Sequence, residues 1–204
     1  MKTRIEHFVI GFILAPLAPI AGLLLFWWVS YALLPEQWII VCTIGGLALG
    51  ILADVFMLKN LIKRTYQLGT VFWLAVLLFY SVGIFGFSMG VPILNAALGI
   101  PTGFVVGAKL VHEAADGVRV RRASLRTCLL TTGLMVLVCI SSAFFALISP
   151  STSSDLQGML GLGFEVTPVM IWGLILVGGA GLLAVNWSLT VLTIRFTHHF
   201  LSTP

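Results

Sequence analysis

The chain has 204 residues, of which 59% are hydrophobic and 9% charged, and its mean hydropathy is +1.11. Soluble domains carry about 25% charged residues, so this composition cannot coat a water-facing surface and lipid is the expected solvent for most of the exterior. The net charge of +4 rests on few residues, and nucleic-acid binding is excluded for want of a basic face.

In chain order, MKTRIEH followed by FVIGFILAPLAPIAG has the basic start and small-residue pattern of a signal peptide. The apolar run nevertheless continues to Leu34, past a signal core of ~7–15 residues, which predicts a retained first span over 8–34. A helix needs roughly 20 apolar residues to cross a ~30 Å hydrocarbon core. By that rule the near charge-free stretches predict further spans at 37–58, 69–89, 92–112, 127–148 and 168–194. The third and fourth share one long uncharged run, divided at Met89-Gly90-Val91-Pro92, where proline disfavours helix in the residue before it and glycine admits turn geometry. Backbone groups in hydrocarbon must be satisfied within each segment, so the spans are helices. Pro101 predicts a kink in the fourth, because its ring obstructs the carbonyl of Ala97. The 149–167 connection is long enough for a small cap or lid, or serves only as a connector.

Six spans place all 11 basic residues on one side: Lys2, Arg4, Lys59, Lys63, Arg64, Lys109, Arg119, Arg121, Arg122, Arg126 and Arg195. Glu36, Asp155 and Glu165 fall on the other. The positive-inside rule then puts both termini in the cytoplasm. The expected fold is all-α, a polytopic integral membrane protein forming a single membrane domain over 1–204, a six-transmembrane-helix bundle, N-in/C-in. The expected location is the plasma membrane, bacterial inner or archaeal.

Small residues recur at four-residue intervals. Asn95, Gly99, Gly103 and Gly107 mark the fourth span, and Cys42, Gly46, Gly50 and Asp54 the second. This small-xxx-small pattern of the GxxxG type lets helix backbones approach closely, either within the bundle or against a second copy or partner subunit. Cys42, Cys128 and Cys139 form no CxxC pair or zinc spacing, which leaves no metal set.

Asp54 lies five residues inside Lys59, about 7 Å along a helix axis. An intramembrane carboxylate is a functional candidate by default, its competing role being snorkelling or pairing with Lys109. On the sixth span Asn186, Thr190 and Thr193 share a face; threonines often bond back to their own helix, whereas a membrane asparagine more often bridges helices. Asn95 has the same ambiguity.

The segment KLVHEAADGVRVRR gathers six of the 18 acidic and basic residues. Arg119, Arg121, Arg122 and Arg126 are expected to meet anionic lipid headgroups. That leaves Glu113 and Asp116 unexplained. On one face of a helix end, Lys109–Glu113 and His112–Asp116 would form i, i+4 pairs. HEAAD differs from HExxH in carrying Asp116 for the second histidine, which removes the zinc-protease reading. Glu113-x-x-Asp116-Gly117-x-x-Val120-Arg121 resembles the opening half of the CDP-alcohol phosphotransferase signature. The downstream GxxxDxxxD that would complete its metal cage is absent. No GxxxxGK[ST] or GxSxG is present either, so no catalytic residue is nominated and no cofactor is indicated.

These features predict a small transporter, a channel-like protein or a membrane substrate-binding subunit. Asp54, Lys109, His112, Glu113, Asp116, Asn186 and Thr190 are the candidates for a polar pathway open to the cytoplasm, with His112 a possible proton carrier. The size and six-span plan also resemble the substrate-binding subunits of energy-coupling-factor importers. Two alternatives stand beside this. One is an enzyme acting on a lipid or isoprenoid headgroup through His112, Glu113 and Asp116. The other is a non-catalytic assembly subunit that docks through its glycine faces.

Overall fold

The computed structural model describes residues 2–88, 90–161, 163–164 and 166–203. Met89, at the expected break, and Glu165, one of the expected outer acids, lie outside the described residues, as does the side chain of Lys2. The fold is helical, with no strand among the described residues. In chain order it comprises α1 (Lys2–Leu14), α2 (Leu17–Leu33), α3 (Glu36–Arg64) and α4 (Thr70–Phe87). A 3-10 turn (Leu94–Leu98) then leads into α5 (Gly99–His112), followed by α6 (Gly117–Ile148), α7 (Thr152–Leu160), α8 (Pro168–Gly173), a π segment (Leu174–Gly178) and α9 (Gly179–Ser202). Six helical stretches are long and apolar enough to cross a membrane: Thr3–Leu33, Glu36–Arg64, Thr70–Phe87, Leu94–His112, Gly117–Ile148 and Pro168–Ser202. The chain forms two compact units, Met1–Val76 and Leu77–Pro204.

In the first unit the stretch expected as one helix over 8–34 is divided at Ala15–Pro16 into α1 and α2. Pro16 and Pro19 have no N–H to give and crowd the preceding turn, so the helical ladder breaks there. The turn into α3 falls at Leu34-Pro35, with Leu34 extended at φ −119°, ψ 155°, the conformation a following proline requires. α2 and α3 run antiparallel and nearly touch. A methyl group added at Gly46 would stand 2.5 Å from the Gly22 carbonyl oxygen and from Phe26 Cβ. One added at Gly50 would collide with the Ala18 backbone. Beyond the break α1 lies along the end of α3, where Gly11 faces Ile62. The buried Glu6 closes this end by accepting a hydrogen bond from the hydroxyl of half-buried Tyr66. Trp73 Nε1 donates to the Thr65 carbonyl at 3.4 Å.

In the second unit α5 lies directly on α9. A methyl group at Gly103 would meet the Thr190 carbonyl oxygen and Thr193 Cβ, each at 2.9 Å, and one at Gly107 would meet the Ile194 carbonyl oxygen and Thr197 Cβ at the same distance. Both helices advance together through these contacts, so they are parallel. α6 lies beside α9, where the Thr131 and Thr190 hydroxyls are 3.3 Å apart. Helix α9 runs on to Ser202, eight residues past the expected end of the sixth span. The break after α4 is made with Gly90 at φ +82°, its N–H reaching the Phe85 carbonyl at 3.0 Å. Pro101 does not kink a helix interior: it stands in the first turn of α5, directly after the 3-10 turn. The bond to Ala97 that proline forbids is thus avoided by starting the α-helix there. The 149–167 connection contains α7, which ends with Gly161 at φ +60°.

Candidate functional site

Two clusters of polar side chains stand out in the second unit. The first is buried. Asn95 and Asn186 are each 2% exposed, Ser81 is 2%, Thr131 is 3% and Thr190 is fully buried. The 3-10 turn carries Asn95, α4 carries Ser81, α6 carries Thr131, and α9 carries Asn186 and Thr190. Asn95 Nδ2 donates to the Ser81 carbonyl at 2.8 Å and to Ser81 Oγ at 3.0 Å. Asn186 Nδ2 donates to the Ala96 carbonyl at 3.2 Å. Thr190 Oγ1 donates to the Asn186 carbonyl at 2.8 Å. Each amide therefore spends an N–H on a backbone carbonyl. A carbonyl can only accept, so both amide orientations are set and both side-chain oxygens are turned elsewhere.

Those two oxygens are the notable atoms. Asn95 Oδ1 and Asn186 Oδ1 are buried without a hydrogen-bond partner, as is Thr132 Oγ1. Asn95 and Asn186 both line one small cavity, together with Ser81, Thr131, Leu77, Leu98, Leu134 and Met135. It has about 10 Å³ of free space, room for about one water molecule. An unpaired buried carbonyl costs about 1–3 kcal/mol, so two around one cavity mark a place where a donor or a positive charge is gained.

The second cluster is the charged segment, and its acids now have roles. α5 ends at His112, with Glu113 as its cap and Ala114 in the left-handed region at φ +47°. The Ala114 and Ala115 N–H groups reach the Val111 and Leu110 carbonyls, each at 3.0 Å, the paired closure of a Schellman motif. His112 and Asp116 are accordingly not on one helical face. Asp116 instead caps α6, its Oδ1 accepting from the Arg119 N–H at 2.9 Å. Glu113 lies 3.9 Å from Lys109 Nζ, the expected i, i+4 pair, and 3.4 Å from Arg119 Nη2. These groups are 39–64% exposed, so solvent screens them and each pair is worth about 1 kcal/mol or less. The cluster orders a helix–helix turn. It is separate from the buried one, since Gly99, beside Asn186, is ten residues or ~15 Å from Lys109.

Asp54 belongs to the first unit, half-buried on α3 between the contacts made by Gly50 and Ile62. It thus occupies the stretch of α3 that spans the α1–α2 break. Sequence reasoning singled out Asn95, Asn186 and Thr190 separately. It missed Ser81 and Thr131, which occupy no motif and reach the cluster only through packing. Glu6 and Tyr66 were missed for the same reason: 60 positions separate them. Burial, then the hydrogen bond and the charge of Glu6, push the Tyr66 phenol above its ordinary range.

No protein-family model, curated protein or solved structure matches the chain.

Proposed function

We propose that the chain is a multi-pass membrane protein of the transport class: a small transporter, a channel-like protein or a membrane substrate-binding subunit. One observation carries this reading: two asparagines with buried, unpaired side-chain oxygens line the same cavity within apolar helices. In a hydrocarbon environment such groups are expensive and are retained where something polar must be accommodated. Depth agrees with that role. With the basic residues at the inner headgroups, the ~15 Å between Lys109 and Gly99 sets the cavity at about half the thickness of a ~30 Å core. A 3-10 turn bears one of the two asparagines, and irregular backbone at membrane depth is tolerated where it is enclosed or lines a cavity.

In this reading both termini are cytoplasmic and the membrane is a bacterial inner or archaeal plasma membrane. Arg119, Arg121, Arg122 and Arg126, all exposed on α6, would lie on anionic headgroups. The close helix contacts at Gly46 and Gly50 in the first unit, and at Gly99, Gly103 and Gly107 in the second, would serve as GxxxG-type packing, the latter three holding the α9 wall of the cavity. Asp54 would add a second polar station on α3.

The test is aqueous accessibility. In a background lacking the native cysteines, Ser81→Cys and Thr131→Cys, both on the cavity lining, should react with aqueous silver ion, a thiol-reactive monovalent cation small enough to enter. Val177→Cys, which is 76% exposed on an apolar surface, should not. Silence at both cavity positions, with the protein folded, would remove the transport reading.

A further inference from the structure

We propose that the cavity between Asn95 and Asn186 is a binding site for one small monovalent cation. Three observations converge. First, the two asparagines that line the cavity each carry a buried side-chain oxygen without a partner, and both of these atoms are acceptors. Their orientation follows from the carbonyl groups of Ser81 and Ala96 that hold the two Nδ2 atoms, so neither amide can exchange its Oδ1 and Nδ2 ends without losing a bond. Second, about 10 Å³ of space admits a single water-sized species and excludes a hydrated ion or an organic solute. Third, the lining contains no carboxylate. Divalent ions with hard oxygen preferences are usually held by carboxylates, whereas neutral amide, hydroxyl and backbone oxygens suit a singly charged ion. The hydroxyl oxygens of Ser81 and Thr131 at the same wall are the further ligands available.

The walls come from α4, the 3-10 turn, α6 and α9, so an ion would tie four elements of the second unit together. Its binding should therefore register as stability of that unit. The inference rests on the transport reading in one respect: the site must exchange with water.

The experiment uses the full chain in phosphatidylcholine nanodiscs at fixed ionic strength. The melting temperature is compared in sodium, lithium, potassium and ammonium chloride against N-methylglucamine chloride. One of the small cations should raise it saturably, by roughly 5 °C, and N-methylglucamine should not. N95L and N186L should abolish the shift. N186D keeps an oxygen and adds a charge, so it should half-saturate at lower cation concentration, and it covers the case in which N186L does not fold. Equal melting temperatures in every salt would overturn the proposal and leave a bridging water as the occupant. A shift that persists in both leucine variants would overturn it as well. Proteoliposome flux separates the two ideas. Stabilisation without cation uptake keeps the site and removes the transport reading, whereas uptake unchanged in N95L and N186L does the reverse.

Discussion

Ala114 holds a backbone conformation that side chains disfavour, at φ +47°, because the Schellman closure at the end of α5 needs a left-handed residue there. Replacing it with glycine removes the Cβ penalty, and Ala114→Gly should stabilise by about 1 kcal/mol in a denaturation curve. Asp116→Ala should act in the opposite sense by about 1 kcal/mol, since it removes the N-cap of α6. Tyr66 offers a pH test. Its phenol is raised in the folded state by burial and by Glu6. A raised value means that its contribution is intact below the unfolded tyrosine value of about 10 and is lost as pH climbs from there toward the folded value. Ultraviolet tyrosinate titration should show one of the three tyrosines ionising late or only on unfolding, and Tyr66→Phe should delete that component. Of these residues only Asp116 attracted notice as sequence, and then as a possible ligand. Capping depends on where a helix starts, and the i, i+4 reading had run α5 one turn too far.

At the level of elements, glycine spacing was legible before the partners were. Two stripes at four-residue intervals on the second and fourth spans mark faces that admit a backbone. The structure supplies α2 for the first and α9 for the second, and it separates packed glycines from idle ones. An added methyl group at Gly46 meets backbone and a side-chain stem, while at neighbouring Gly45 it meets nothing within 4 Å. Gly46→Ala should therefore destabilise by roughly 1–3 kcal/mol, and Gly45→Ala should be neutral or stabilising by up to about 1 kcal/mol. Thermal unfolding of the purified pair measures the contrast. Gly103→Ala against Gly133→Ala repeats it in the second unit, where Gly133 also faces open space. Prolines were read less evenly. Pro101 was expected to kink a helix and instead opens one, whereas Pro16 and Pro19, passed over, divide the first span. The reason is positional: proline is harmless in a first turn and disruptive in an interior, and the sequence does not mark where each turn begins.

For the whole molecule, the arrangement of charge makes the sharpest statement. Within the second unit α5 and α9 are parallel, as the contacts Gly103–Thr190 and Gly107–Ile194 require. An odd number of crossings between the end of α5 and the start of α9 follows if each long helix crosses once, and α6 supplies it. Reporter fusions after Arg126 and after residue 204 should then both report cytoplasm, and one inserted after Asp155 should report the opposite side. A fusion after Arg126 found outside would invert the orientation and place the basic ends of the helices at the outer headgroups.

Hydropathy and charge, acting on each segment separately, are enough to define the inventory: six long apolar helices, their approximate limits and the bias of basic residues. Each apolar segment must satisfy its own backbone wherever it finally lies, so this information is local and a single chain carries it. Which polar groups meet is not local. Asn186 reaches Ala96 across 90 positions, and Ser81 and Thr131 join them only because α4, α6 and α9 converge there. No periodicity records that convergence. Only the tertiary structure brings separate asparagines, each with an unpaired acceptor, to the wall of one cavity.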